Sequence, residues 1–197
     1  MFSYYFKEYW NIPEWIDESK LNKSISKIGF TLDYRRMCRF NAGYFFRHKL
    51  TLKYDFFMRM DSDSVFQCEF SSDPFRKFQN EKMKFGFILS DQERMFTIPS
   101  LWRTVKKWAK NSSIKLNKNG LKFISDYNGK AFNNPICIVY ANFIMGDFSV
   151  FRNNIFLEYF DFLDKTGGFF YERWASYFFV LSNLRKFLIN LFLKIIK

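Results

Sequence analysis

Histidine is almost missing from this chain, cysteine is scarce, and glycine and proline are few. The single histidine, His48, has no second base and no cysteine or serine arrangement around it, so nothing supports a histidine-activated nucleophile. Three cysteines, Cys38, Cys68 and Cys137, cannot all pair within one chain. With no CxxC and no Cys/His spacing they also exclude a zinc module. The 4 prolines and 8 glycines mark no composition break, and 197 residues suffice for one domain with a real core. Met1 to Trp10 is aromatic and charged where a signal peptide would have a clean apolar run and a small-residue cleavage site. A long apolar run is missing too. The final stretch, SYFFVLSNLRKFLINLFLKIIK, carries Arg185, Lys186, Lys194 and Lys197 without one acid, and is too broken by charge for a span of about 20 apolar residues. It reads either as a basic amphipathic helix on a membrane surface or as a helix packed on a sheet with its lysine stems buried.

What the chain has instead is aromatic mass and positive charge: 29 Phe, 11 Tyr and 5 Trp, with 31 Lys and Arg against 19 acids. Abundant Phe, Lys, Asn and Ile is also what AT-rich coding produces, so part of the Phe excess is read as mutational. The formal charge of +12 points to a polyanionic partner. Nucleic acid does not fit, because the aromatics recur at core periodicity and not on an exposed stacking sheet. Basic residues form two groups. Arg35, Arg36, Arg39, Arg47, Lys49, Lys53 and Arg59 surround one motif-like stretch. Lys106, Lys107, Lys110, Lys115, Lys118 and Lys122 read as the wet face of a helix and the loop after it.

That stretch runs from Tyr34 to Phe75. Tyr54 to Met60 has the composition of a buried strand and empties into Asp61, Ser62, Asp63 and Ser64 before a second apolar run begins at Val65. Residues i and i+2 of an extended chain point the same way, so Asp61 and Asp63 can face one hard cation. Asp and Ser are equally ordinary turn residues, which leaves a solvated turn as the alternative. Tyr34, able to stack and to hydrogen-bond, is likewise either a ligand contact or a structural aromatic. Elsewhere the pattern predicts a helix entered through Pro13 with Glu14, Asp17 and Glu18 in its first turns, and a strand over FGFILS from Phe85 to Ser90. It then predicts a helix after Pro99 that aligns Leu101, Val105, Trp108 and Ala109, a strand ICIVYANF ending at Phe143, and a helix from Asn153 to Lys165 stopped by Gly167 and Gly168.

YRRMCRFNAG, the Asp-rich strand end, DPF at Asp73 to Phe75, TIPSLW, YANFIMGDF and GGFFYERW, read together, closely resemble the fungal α-1,2-mannosyltransferases of glycosyltransferase family 15. The resemblance covers roughly Tyr4 to Trp174. It implies a retaining transfer of mannose from GDP-mannose to a mannose-terminated glycan in protein glycosylation, with Mn²⁺, in the Golgi or on another secretory membrane's lumenal face. Sequons at Asn22 and Asn111 agree with that compartment, although such triplets also arise by chance. By the same resemblance, Tyr34, Arg35, Arg39 and Asn142 are donor-binding candidates and Asp61 and Asp63 metal candidates. The implied fold is α/β, a GT-A-like mixed and mostly parallel sheet flanked by helices, incomplete here. Residues 1–174 form part of a catalytic domain and 175–197 a divergent basic C-terminal helix.

The departures from the family pattern fall on the chemistry. Where the family has its candidate catalytic carboxylate this chain has Ile144, and an alkyl group can neither attack nor stabilise developing positive charge. Asp147 is the nearby substitute, but three positions along a strand reverse the side-chain direction. The family's later histidine segment has no counterpart. The expected enzyme is therefore a mannosyltransferase with no intact catalytic carboxylate, or a non-catalytic relative that binds a glycan or an active partner.

Overall fold

In the computed structural model, which describes residues 9–113, 136–175 and 194–195, helices come first and a sheet is assembled later around one central strand. Helix α1, Glu18–Ile28, starts where the Asp17 carboxylate accepts the Lys20 N–H at 3.1 Å and stops at Gly29, whose φ of 82° suits a residue without Cβ. The expected start at Pro13 is corrected by that cap. Pro13 instead closes a turn, its carbonyl accepting the Ile16 N–H at 3.0 Å. Helix α2, Leu32–Arg39, is capped by the Thr31 hydroxyl and runs on through one π-helical turn, Phe40–Tyr44, into Phe45–Arg47. A Cβ on Gly43 in that turn would strike the Phe160 ring, so glycine lets the rod lie directly on its neighbour.

Strand β1, Phe56–Met60, is followed by helix α3, Pro74–Asn80, which the DPF segment starts: Asp73 caps it and Pro74 takes the first position. Next come β2, Phe85–Phe87, β3, Ser90–Glu93, and helix α4, Leu101–Asn111. Strands β4, Ile136–Val139, and β5, Phe143–Asp147, lead into α5, Phe148–Phe151, α6, Asn154–Lys165, and α7, Gly168–Tyr171. Gly167, at φ 76°, makes the left-handed turn expected after α6. Lys194–Ile195 form β6 and pair with β2, which corrects the expectation of helix through the chain's last residues. The remainder of the 175–197 tail after Ala175 lies outside the described residues.

One sheet has the order β1-β5-β2-β6 and a smaller one pairs β3 with β4. Among the described residues only β2–β6 is parallel; β1–β5, β5–β2 and β3–β4 are antiparallel. The sheet is mixed, as expected, but not mostly parallel. Strand direction depends on which partners β5 returns between, a long-range fact that apolar patterning does not encode.

Every residue of β5 is buried, and its two faces feed two cores. Ile144 joins Phe57, Phe85 and Phe87 against Phe46, Phe148 and Phe151, whereas Phe143 and Met145 meet Phe78 and Met83 beneath α3. Phe46 and Phe151 stack at 4.4 Å. Among the described residues most phenylalanines go into packing. Across the main core α2 is tied to α6 by a buried pair: Arg39 donates to both Asp164 oxygens, at 2.6 and 2.7 Å, and Tyr44 donates to the same carboxylate at 3.1 Å.

Candidate functional site

Both strands expected to be long are interrupted at the same level. FGFILS divides at Ile88 and Leu89 between β2 and β3, and ICIVYANF divides at Tyr140–Asn142 between β4 and β5. The Tyr140 N–H donates to the Leu89 carbonyl at 2.9 Å, holding the two breaks side by side. Where the sheets part, a cleft of about 660 Å³ opens. Its floor is Ile138 to Asn142; one wall is Tyr34, Met37, Cys38, Asn41 and Ala42 from the α2 rod, and the rim is Arg59 to Asp63.

Four of the candidate residues meet here: Tyr34, Asp61, Asp63 and Asn142 all line the cleft. The Asp61 N–H donates to the Asn142 carbonyl at 2.9 Å, so the end of β1 is sewn to the start of β5. Ser64 in turn donates its N–H to the Asp61 carbonyl at 3.0 Å, so the DSDS run is a turn that nevertheless faces the cleft. Asp63 is exposed, and the side-chain oxygen Oδ1 of Asn142 is buried with no partner among the described residues. Tyr34 packs on Phe30 with ring centroids 4.9 Å apart, and burial together with the neighbouring Cys38 raises its hydroxyl pKa well above the ordinary tyrosine range. Burial also pushes the Cys38 thiol up to about 11, which makes it an inert neutral wall group. Cys38 and Cys68 carry free thiols, and the Cys137 side chain lies outside what is described.

Arg35 and Arg39, expected at the donor, are not in the cleft. Arg35 is buried in a cage of acceptors, donating to the carbonyls of Gly29, Phe30, Phe170 and Glu172 and to the Ser24 hydroxyl. Arg39 is consumed by Asp164. Other arginines of the basic group around the motif are paired as well, Arg36 with Asp33 and Arg47 with Asp161, both within reach of solvent. Ile144 is wholly buried in the main core, directly opposite Arg59 in the β1–β5 register. Asp147 faces away from that core, as the alternation requires, and caps α5 while its carboxylate pairs with Lys84. Burial alone would raise its pKa, but the Lys84 ammonium and the Ser149 N–H outweigh that and hold it below the usual carboxylate range.

Two residues that sequence reasoning did not single out, Arg173 and Glu93, line the cleft, and so does Arg59, one of the basic group expected around the motif. Arg59 donates to the Ala141 carbonyl and to Asp61 Oδ1, the latter at 2.8 Å. Arg173 grips both oxygens of the buried Glu93, donates its N–H to the Thr97 carbonyl at 2.8 Å and lies over the Phe30 ring at 4.6 Å. Its signal in the sequence is GGFFYERW, whose other members are scaffold: a Cβ on Gly168 would strike the buried Trp174, and Glu172 accepts the Trp174 indole N–H at 2.7 Å.

Asp61 and Asp63 supply carboxylate oxygens on one cleft, donors that suit a hard divalent cation whose shell is completed by water and phosphate. The fit is in donor type. Among the described residues no three His, Cys, Asp or Glu side chains converge, and Arg59 already holds one Asp61 oxygen.

A family model described as glycolipid 2-alpha-mannosyltransferase matches residues 1–182. The chain belongs to that family. It is 42% identical over 178 residues to the probable mannosyltransferase KTR3 of Saccharomyces cerevisiae, covering 86% of this chain and 44% of that one. To the alpha-1,2 mannosyltransferase KTR1 of the same yeast it is 38% identical over 178 residues, with 86% and 45% covered. Core-mannan synthase A of Aspergillus fumigatus, solved in an Mn/GDP form, superposes with a TM-score of 0.80 at 29% identity over 90% of this chain and 52% of its own. The S. cerevisiae mannosyltransferase Ktr4p in complex with GDP gives 0.80 at 26% identity, over 89% and 48%. The chain spans about half the length of the relatives it matches.

Proposed function

We propose that this chain carries the donor-binding part of a retaining α-1,2-mannosyltransferase, one that moves mannose from GDP-mannose to a mannose-terminated glycan during protein glycosylation. The observation that carries this reading is the convergence of Tyr34, Asp61, Asp63 and Asn142 on one cleft in a member of this family. Tyr34 offers a ring face and a hydroxyl whose proton is firmly held, so at neutral pH it donates. The unpaired Asn142 Oδ1 accepts from an N–H or O–H of the donor. Asp61 and Asp63 are the residues to hold Mn²⁺, which when bound supplies neutralisation of a departing diphosphate. The setting would be the lumenal face of a Golgi or other secretory membrane, which the exposed sequon asparagines Asn22 and Asn111 suit. No described helix is long and apolar enough to cross a bilayer, and the C-terminal basic stretch is proposed as a surface contact with the membrane.

A second reading, a relative that binds donor or glycan without transferring sugar, is favoured by Ile144. That side chain is fully buried, and no carboxylate takes its place on the same face of β5. One experiment separates the two. The purified chain is incubated with GDP-mannose, Mn²⁺ and methyl α-mannoside, while disaccharide and released GDP are measured and GDP uptake is followed by calorimetry. Transfer supports the first reading, uptake without transfer or hydrolysis selects the second, and no uptake of either Mn²⁺ or GDP defeats both.

A further inference from the structure

The chain carries a formal charge of +12, yet the charged side chains lining its cleft are two arginines against three carboxylates. Both arginines are already partnered: Arg173 with Glu93, and Arg59 with Asp61. The cleft therefore offers a nucleoside diphosphate no unpaired cation among its described lining residues, and repels it through Asp63. The two pairs differ in how firmly they are closed. The two arginines are equally exposed, Arg173 at 20% and Arg59 at 21%, but Glu93 retains only 4% of its side-chain exposure against 41% for Asp61, so water and ions can compete at the Asp61 carboxylate. The backbone beneath the second pair is fixed, with the Asp61 N–H on the Asn142 carbonyl and Arg59 set in β1 opposite Ile144. Only the side chains need to move.

We propose that Arg59 and Asp61 form an exchangeable latch: the guanidinium occupies the carboxylate until a nucleoside diphosphate and a divalent cation arrive together, the cation taking Asp61 and the diphosphate taking the released Arg59. This rests on the donor-site reading above and adds to it a binding role for Arg59 and a mutual dependence of the two ligands. Each ligand alone must break the ion pair and leave one member unsatisfied. Both together satisfy both members, so binding of one strengthens the other by a common factor.

The test uses the whole chain, with Mn²⁺ uptake read from loss of the free-ion paramagnetic resonance signal and GDP uptake read by calorimetry with and without Mn²⁺. In the parent protein each ligand is expected to tighten the other by about tenfold, within the usual range of coupling between sites. Arg59→Gln frees Asp61, so Mn²⁺ alone should bind several-fold tighter while GDP with Mn²⁺ binds at least about tenfold weaker. Asp61→Asn is the mirror image: GDP alone should bind tighter and its response to Mn²⁺ should vanish. A merely structural pair would shift both ligands in the same direction. Same-direction shifts, or independent binding in the parent, overturn the latch and leave the donor site standing. No uptake of either ligand by the parent overturns both. Circular dichroism and melting temperature confirm that each variant is folded, and should Arg59→Gln fail to fold, the decision rests on Asp61→Asn.

Discussion

Three arginine–aspartate pairs in this molecule have nearly the same length and do different work. Arg39–Asp164, Arg59–Asp61 and Arg47–Asp161 close at 2.6, 2.8 and 2.7 Å. Side-chain exposure separates them: 5% and 4% in the first, 21% and 41% in the second, 29% and 50% in the third. A buried charge has no solvent to fall back on, so the first pair is permanent scaffold. The second can trade its partner for a ligand, and the third only decorates the surface. Distance does not sort these roles; access of water does.

Breaking the first pair should therefore have the largest effect. Asp164→Ala leaves the Arg39 guanidinium buried and removes the acceptor shared by Tyr44, so chemical denaturation should show a loss of about 3–5 kcal/mol. Gly43→Ala acts on the same interface by volume, driving a methyl group into the Phe160 ring, and should cost about 1–3 kcal/mol. Arg59→Gln, at a pair that solvent reaches, should cost about 1 kcal/mol or less in the same assay although it disrupts ligand binding. A stability loss at Arg59 equal to that at Asp164 would abolish the distinction between scaffold and latch.

Asp147 adds a pH axis. Its folded pKa lies below the usual carboxylate range, so its pairing with Lys84 and the Ser149 N–H contributes stability that is present above the unfolded pKa of about 3.9 and is lost as pH falls through the lower folded value. With Asp147→Asn, melting temperature should fall less steeply below about pH 4 than in the parent. Identical acid limbs would show that the carboxylate does not anchor the end of β5.

What the sequence made legible was local. The bounds of α6 followed from its Asn153 cap and its terminal glycines, and the Asp61–Asp63 turn at the end of β1 from an apolar run emptying into acids. What escaped was decided at long range. Arg35 and Arg39 stand in a motif beside Tyr34, yet their partners include Phe170, Glu172 and Asp164, more than a hundred residues away. Nothing local distinguishes an arginine that faces a phosphate from one that faces a carbonyl cage. The cleft itself was hidden for a similar reason. FGFILS and ICIVYANF are continuous apolar runs, and their breaks at Leu89 and Tyr140 arise because each segment changes sheet there. Arg59 was visible as one of a basic group, but its role emerges only once β1 and β5 are in register.

The smallest expected effect completes the series at its exposed end. Arg47 also lies over the Tyr44 and Phe160 rings, at 5.3 and 5.1 Å, so truncating it would remove packing along with charge. Asp161→Asn removes the charge alone, and with half of that side chain in water the loss should be about 0.2–1 kcal/mol. Because solvent reaches this pair, raising salt well above physiological strength should shrink the difference between variant and parent, while the penalty for Asp164→Ala stays unchanged. A salt-insensitive loss of several kcal/mol at Asp161 would mean that the outer end of the α2–α6 contact is as closed to water as the inner end, and exposure could not then be what divides these pairs.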